Sequence, residues 1–154
     1  MYSDLLLLVG ISFSLGFTPG PNNAVASFSG FNFGIKKTLP LIFGVGLGYT
    51  ILVILINFVL ISTFKKYPVI QDIIRLLGTF FLIFLAYKIS FSKNISNSTT
   101  SNPVTFFDTF LFQFINPKGV MAAMTLISRF VKEDNYMSSS IEVITVCSVT
   151  AFLS

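Results

Sequence analysis

The chain has 154 residues, 53% of them hydrophobic and only 10% charged, with 19 phenylalanines and a mean hydropathy of +0.83. Soluble domains carry about 25% charged residues, so this chain cannot coat a water-soluble core, and the class it defines is an all-α, polytopic membrane protein. The net charge of +4 comes from scattered or paired lysines and arginines, which suits anionic headgroups and excludes a nucleic-acid stripe. Histidine is missing and Cys147 is the single cysteine. That removes an internal disulfide and the usual metal and acid–base ligand sets, so no metal, cofactor or enzymatic activity is expected. Cys147 lies in an apolar run and reads as a small packing residue.

The first span is expected over about 4–33. Leu5–Phe17 has the look of a signal-peptide core, and Ala24-Val25-Ala26 that of a cleavage site. Met1–Asp4 carries no basic residue and further spans follow, so the segment reads as a retained span. Inside it stands Thr18-Pro19-Gly20-Pro21-Asn22-Asn23. Both prolines lack an N–H and restrict the residue before them, and Gly20 tolerates almost any backbone angle. A helix entering from Leu5 should break near Thr18. In hydrocarbon the freed carbonyls and amides need partners or must line a wet cavity. A ligand site and a packing kink both remain open there.

Lys36-Lys37 close the first span, and the second is expected over 38–64, ended by Lys65-Lys66 and Tyr67-Pro68. Its Gly44, Gly46 and Gly48 are expected to leave one nearly bare face for another helix. Gly30, Gly34, Gly44, Gly48 and Gly78 are the expected helix-packing glycines. The third span covers 69–91; Asp72 and Arg75 near its start are one helical turn apart and read as a local ion pair at the membrane edge. Residues 92–103 are a linker built almost wholly of Ser, Thr and Asn. Its two Asn-X-Ser/Thr matches are what such a composition gives by chance.

A fourth span, 104–131, is again overlong and again interrupted, at Asn116-Pro117-Lys118-Gly119. From Glu142 a last apolar run is expected over 142–154, shorter than the ~20 residues a helix needs to cross. The sequence therefore reads as incomplete at its C-terminus. Pro19 and Pro117 each follow an aromatic-rich half-span and stand among asparagines. If 1–91 and 104–154 are repeats, three spans per repeat place them inverted in the membrane, with the second incomplete.

Two broken helices offer free N–H groups to a carboxylate and free carbonyls to an ammonium. Asn22, Asn23 and Asn116 add amide donors and acceptors. That set suits a zwitterion. Lys118 has two readings: a partner for the substrate carboxylate, or a headgroup anchor. Asp108, among Phe106, Phe107 and Phe110, also has two: a proton-coupling carboxylate if buried, or an interfacial residue.

At these residues the chain resembles the LysE/RhtB family of amino-acid exporters. The resemblance is carried by Thr18-Pro19-Gly20-Pro21-Asn22, by Gly30, Gly34, Gly44 and Gly48, by Leu77-Gly78-Thr79-Phe80-Phe81-Leu82 with Lys88, by Asn116-Pro117-Lys118, and by Phe130-Val131. It implies six membrane helices in two inverted halves and export of amino acids driven by the proton gradient. It also implies a multi-pass location in the cell membrane. Departures are Thr38 and Phe110, where glycine is frequent, and Ser128-Arg129 in place of Pro-Gln before Phe130. The expected partners are an amino-acid-like small molecule, protons and the lipid bilayer, with a homo-oligomer left open. The competing reading is a non-transporting remnant or a small membrane-packing subunit. Lys36, Lys37, Lys88 and Lys93 on one side nearly balance Lys65, Lys66, Arg75, Arg129 and Lys132 on the other, so orientation and substrate side chain stay open.

Overall fold

The prolines set where helices begin. Pro21 and Pro117 each occupy the first turn of a helix, where a missing N–H costs nothing. The computed structural model describes residues 2–60 and 104–154, with Tyr67, Val69, Ile73, Leu76, Phe80 and Ile83 between them. Asp72, Arg75, Gly78 and the linker 92–103 lie outside the described residues.

The helices are α1 (Tyr2–Phe17), α2 (Pro21–Phe33), α3 (Ile35–Leu55), α4 (Phe106–Ile115), α5 (Pro117–Phe130) and α6 (Tyr136–Leu153); a π-helical turn, Ile56–Leu60, continues α3. Among the described residues there is no strand. The stretch Ile35–Phe58 and helix α6 are each long and apolar enough to cross a membrane. The pairs α1–α2 and α4–α5 pass the same test as broken spans, bent by 57° and 59°.

Local chemistry explains the boundaries. A capping box opens α4: Thr105 Oγ1 accepts from the Asp108 amide at 3.3 Å, and the Asp108 carboxylate accepts from the Thr105 amide at 3.0 Å. Gly34, at φ 79°, makes the turn from α2 into α3. Helix α3 therefore starts at Ile35, ahead of the lysine pair expected to separate the spans. The last helix also differs from expectation. It starts at Tyr136, runs through Glu142 and reaches 18 residues, because Ser138, Ser139 and Ser140 are held within its first turns.

Contacts fix the helix directions. Phe43 and Gly46 meet Phe152, Thr50 Oγ1 donates to Ser148 Oγ at 3.0 Å, and Tyr136 Oη donates to the Asn57 carbonyl at 3.0 Å. Rising numbers on α3 meet falling numbers on α6, so these two run antiparallel. On α4 the order is the same as on α3: Gly44 faces Phe106 and Thr109, and Gly48 faces Phe110 and Gln113. On α1 and α6 it is also the same, with Asp4 beside Lys132 near the start and Gly16 against Thr150 and Ser154 near the end. It follows that α1 and α4 run in opposite directions.

One expectation about glycine changes. Gly44 and Gly48 are a turn apart and share the α4 face, whereas Gly46, two residues from each, points to Phe152 on α6. Gly30 and Gly34 meet no described atom within 4 Å of an added Cβ. The core is formed by Val120, Ala123, Ile127 and Phe130 on one stripe of α5, packed on Leu52, Val53 and Ile56 of α3, Val143 and Cys147 of α6, and Leu8 of α1.

Candidate functional site

The first break runs from Thr18 to Gly20. Pro19 and Pro21 cannot donate to the carbonyls of Leu15 and Phe17, four residues earlier. The next carbonyls are served from elsewhere. Asn23 Nδ2 donates to Gly16 O at 3.2 Å, and Lys118 Nζ, from the second break, donates to Thr18 O. Helix α2 begins with Gly20 as its N-cap, and no side chain caps it. The first backbone bond of α2 is Ala24 N to Gly20 O, at 3.0 Å. Among the described residues the amides of Asn22 and Asn23 have no recorded acceptor. They stand at the positive end of α2, with the Lys118 side chain packed beside its N-cap, Gly20.

The second break is Asn116 alone. It ends α4 and caps α5, its Oδ1 accepting from the Lys118 amide at 3.2 Å. It is 2% exposed. Pro117 leaves the Gln113 carbonyl without a helical donor.

The two breaks meet. Asn22 Nδ2 donates to Gln113 Oε1 at 2.9 Å, and Gln113 Nε2 donates back to Asn22 Oδ1 at 3.2 Å. Gln113 Nε2 also donates to Thr109 O at 2.8 Å, so both its amide hydrogens are used. Between the breaks lies a cavity of about 230 Å³. Its polar lining includes Asn22, Asn23, Gln113, Asn116 and Lys118, and leucines, alanines and valine form much of the rest.

Of the residues singled out in the sequence, Gly20, Pro21, Asn22, Asn23, Asn116 and Lys118 line this cavity, and Thr18 reaches it through its carbonyl. Pro19 and Pro117 shape the breaks. The Lys118 ammonium is turned to the first break, where it donates to the Thr18 carbonyl. Asp108 is elsewhere. It is exposed in the first turn of α4, where its carboxylate accepts from Thr105 Oγ1 at 2.7 Å. Gln113, Ser12 and Tyr49 line the cavity and were missed. Gln113 had a signal: an amide in an apolar run, one turn before Asn116 and on its face.

Paired helix breaks around a half-open, mostly apolar cavity, among helices long and apolar enough to cross a membrane, fit an all-α polytopic membrane protein. The family model for the LysE type translocator matches residues 13–154, and the chain belongs to that family. It is 29% identical over 114 residues to the cysteine/O-acetylserine efflux protein of Escherichia coli (strain K12), and equally to that of Shigella sonnei (strain Ss046). Those matches cover 74% of this chain and 58% of each relative, so the chain spans less than two thirds of their length. No solved structure matches it.

Proposed function

We propose that this chain forms the substrate site of a secondary exporter of amino acids, held as a multi-pass protein in the cell membrane and driven by the proton gradient. One observation carries the reading: the uncovered α2 amides of Asn22 and Asn23 and the Lys118 ammonium converge on one cavity from two broken helices. A substrate carboxylate would be held by those amides and Lys118, as anions are at helix N-termini. Its ammonium would take the carbonyls that Pro19, Pro21 and Pro117 leave without donors. Thr18, Gly20 and Asn116 set the geometry of the two breaks. The opposite running of α1 and α4 supports 1–91 and 104–154 as inverted repeats, and the relatives' printed activity is efflux of cysteine and O-acetylserine. Asp108 we read as the cap of α4; its bonds to Thr105 support that role over proton carriage.

The test is uptake of radiolabelled L-serine and L-cysteine into proteoliposomes holding the purified protein, with and without an imposed pH gradient. Uptake that follows the gradient and collapses with a protonophore is the expected result. Absence of amino-acid binding to correctly folded protein in lipid nanodiscs would overturn the reading and leave a membrane-packing role. Asp108→Asn should keep the gradient dependence, and its loss in a folded variant would return that carboxylate to the proton path.

A further inference from the structure

We propose that Lys118 is a tethered stand-in for the substrate's ammonium. Its Nζ holds the Thr18 carbonyl in this structure; an arriving amino acid takes that carbonyl with its own ammonium and gives Lys118 its carboxylate. The inference rests on the amino-acid reading above and adds why both charged ends of a substrate are required.

The Thr18 carbonyl is left open by the first break. In an unbroken helix it would accept from the amide of Asn22, four residues on. Pro21 starts a new helix, whose first backbone bond goes from Ala24 N to Gly20 O at 3.0 Å, and among the described residues no backbone amide serves Thr18. A carbonyl freed in this way at membrane depth needs a donor, and a charged one binds it best. That donor is Lys118 Nζ, 100 residues away in sequence and carried in by the second break.

Two features hold the ammonium there. Gly20 supplies the room: a Cβ on it would stand 2.9 Å from Lys118 Cδ and 3.0 Å from Nζ, so the lysine arm lies in the space a side chain would fill. The root of the arm is fixed as well, since the Lys118 amide donates to Asn116 Oδ1 at 3.2 Å. An alkylammonium of the chain's own thus marks where a ligand's ammonium is stabilised, and its flexible stem lets it leave.

The exchange selects zwitterions. An amino acid trades one ammonium–carbonyl bond for another, so that step is close to even; the gain is its carboxylate, which meets Lys118 and the amides of Asn22 and Asn23. An amine without a carboxylate displaces Lys118 and leaves two like charges in a lining that, among the described residues, holds no aspartate or glutamate. An acid without an amine draws Lys118 away and leaves the Thr18 carbonyl without a donor.

The test is equilibrium binding, to the full chain in lipid nanodiscs, of L-serine, its decarboxylated form ethanolamine and its deaminated form 3-hydroxypropionate. The wild type should bind serine at least about tenfold more tightly than either, since a hydrogen bond to a charged group is worth about that factor or more. Lys118→Met should weaken serine about tenfold and tighten ethanolamine about tenfold, a crossing that a purely structural lysine does not give. The carbonyl can be read directly. Thr18-Pro19 is the single Thr-Pro pair of the chain, so carbonyl-13C threonine with 15N proline isolates it in solid-state NMR. Its signal in the wild type should be that of a hydrogen-bonded carbonyl with and without serine. In Lys118→Met it should move to that of a free carbonyl, and return on adding serine or ethanolamine. If Lys118→Met does not fold, dipolar contact between 15N-labelled serine and the Thr18 carbonyl of the wild type decides. Serine bound without that contact, ethanolamine bound by the wild type as tightly as serine, or a folded Lys118→Met that weakens all three ligands alike overturns the exchange alone. No serine binding at all overturns the exporter reading with it.

Discussion

The two breaks bend their helices by nearly the same angle, 57° and 59°, and reach it by different chemistry. The second is closed. Asn116 ends one helix, caps the next, and buries its side chain in doing so. The first is open. It has no side-chain cap on α2, and its orphan carbonyls are served by groups reaching in, one of them Lys118 from the other break. Equal bending does not imply equal roles. The closed break carries Lys118 and Gln113 to the cavity, and on the proposed function the open break would supply backbone groups to the substrate.

The same asymmetry appears in how each first half-helix docks. Helix α4 lies on α3 through Gly44 and Gly48, and its backbone carbonyls touch them; helix α1 lies on α6 through Gly16, which meets only side-chain atoms of Thr150 and Ser154. The largest expected effect follows. Gly44→Ala drives a methyl into the Phe106 carbonyl and should cost about 3 kcal/mol, the upper range for overpacking, whereas Gly16→Ala meets side chains that can rotate and should cost about 1 kcal/mol. Thermal unfolding in detergent micelles measures both. Equal losses would erase the difference in docking.

Next is the cap. Asn116→Ala should lower stability by about 1–2 kcal/mol, since it removes an N-cap that is also buried. Gly20→Ala should change little: its φ of −159° is ordinary extended backbone, and the added methyl, 2.9 Å from Lys118 Cδ, displaces only a flexible chain. A large loss at Gly20 with none at Asn116 would reverse the assignment of open and closed.

The bridge between the breaks comes third. Asn22→Leu and Gln113→Leu together should show a coupling of about 0.5–1.5 kcal/mol in a double-mutant cycle, because each single change strands a buried amide. Additive losses would mean that the two breaks are held together without it.

The smallest effect is at the surface. Lys132 donates to Asp4 at 2.8 Å, and that hydrogen bond and charge hold its ammonium above the usual lysine range. A raised folded-state value means the contribution is fully present below the unfolded pKa and is lost as pH rises through the folded one. In alkaline titration Lys132→Met should therefore lose part of the wild type's fall in stability, and salt should shrink the difference. An unchanged profile would show that the pair adds nothing to docking α1.

The breaks were legible in the sequence because proline acts through its own missing N–H, a local fact. Asn116 followed for the same reason, being next to one. Gln113 was not, since its meaning lies in a partner 91 residues away. The start of α6 was misplaced because the apolar run begins only at Glu142, while the helix carries the serines before it on its first turns with Ser139 bonded back to Asn135 at 2.8 Å. The three glycines of α3 were assigned one face because their spacing resembles a stripe; only the first and third are a turn apart. Asp108 was placed among aromatics by its neighbours in sequence, but Thr105 fixes it as a cap.

The open break has a consequence for mutational scanning. On the proposed function its binding groups are peptide units, and alanine replaces side chains while leaving every peptide in place. A scan of this protein would therefore return strong signals at Asn116, Gln113 and Lys118 and near silence along Asn22 and Asn23 beyond the loss of their amide side chains. That silence would describe the method and not the site. The substitution that speaks to the first break is Asn23→Pro: it deletes one uncovered N–H in the first helical turn, where proline's φ is already helical, and takes from a bound carboxylate a donor that no side-chain change can reach.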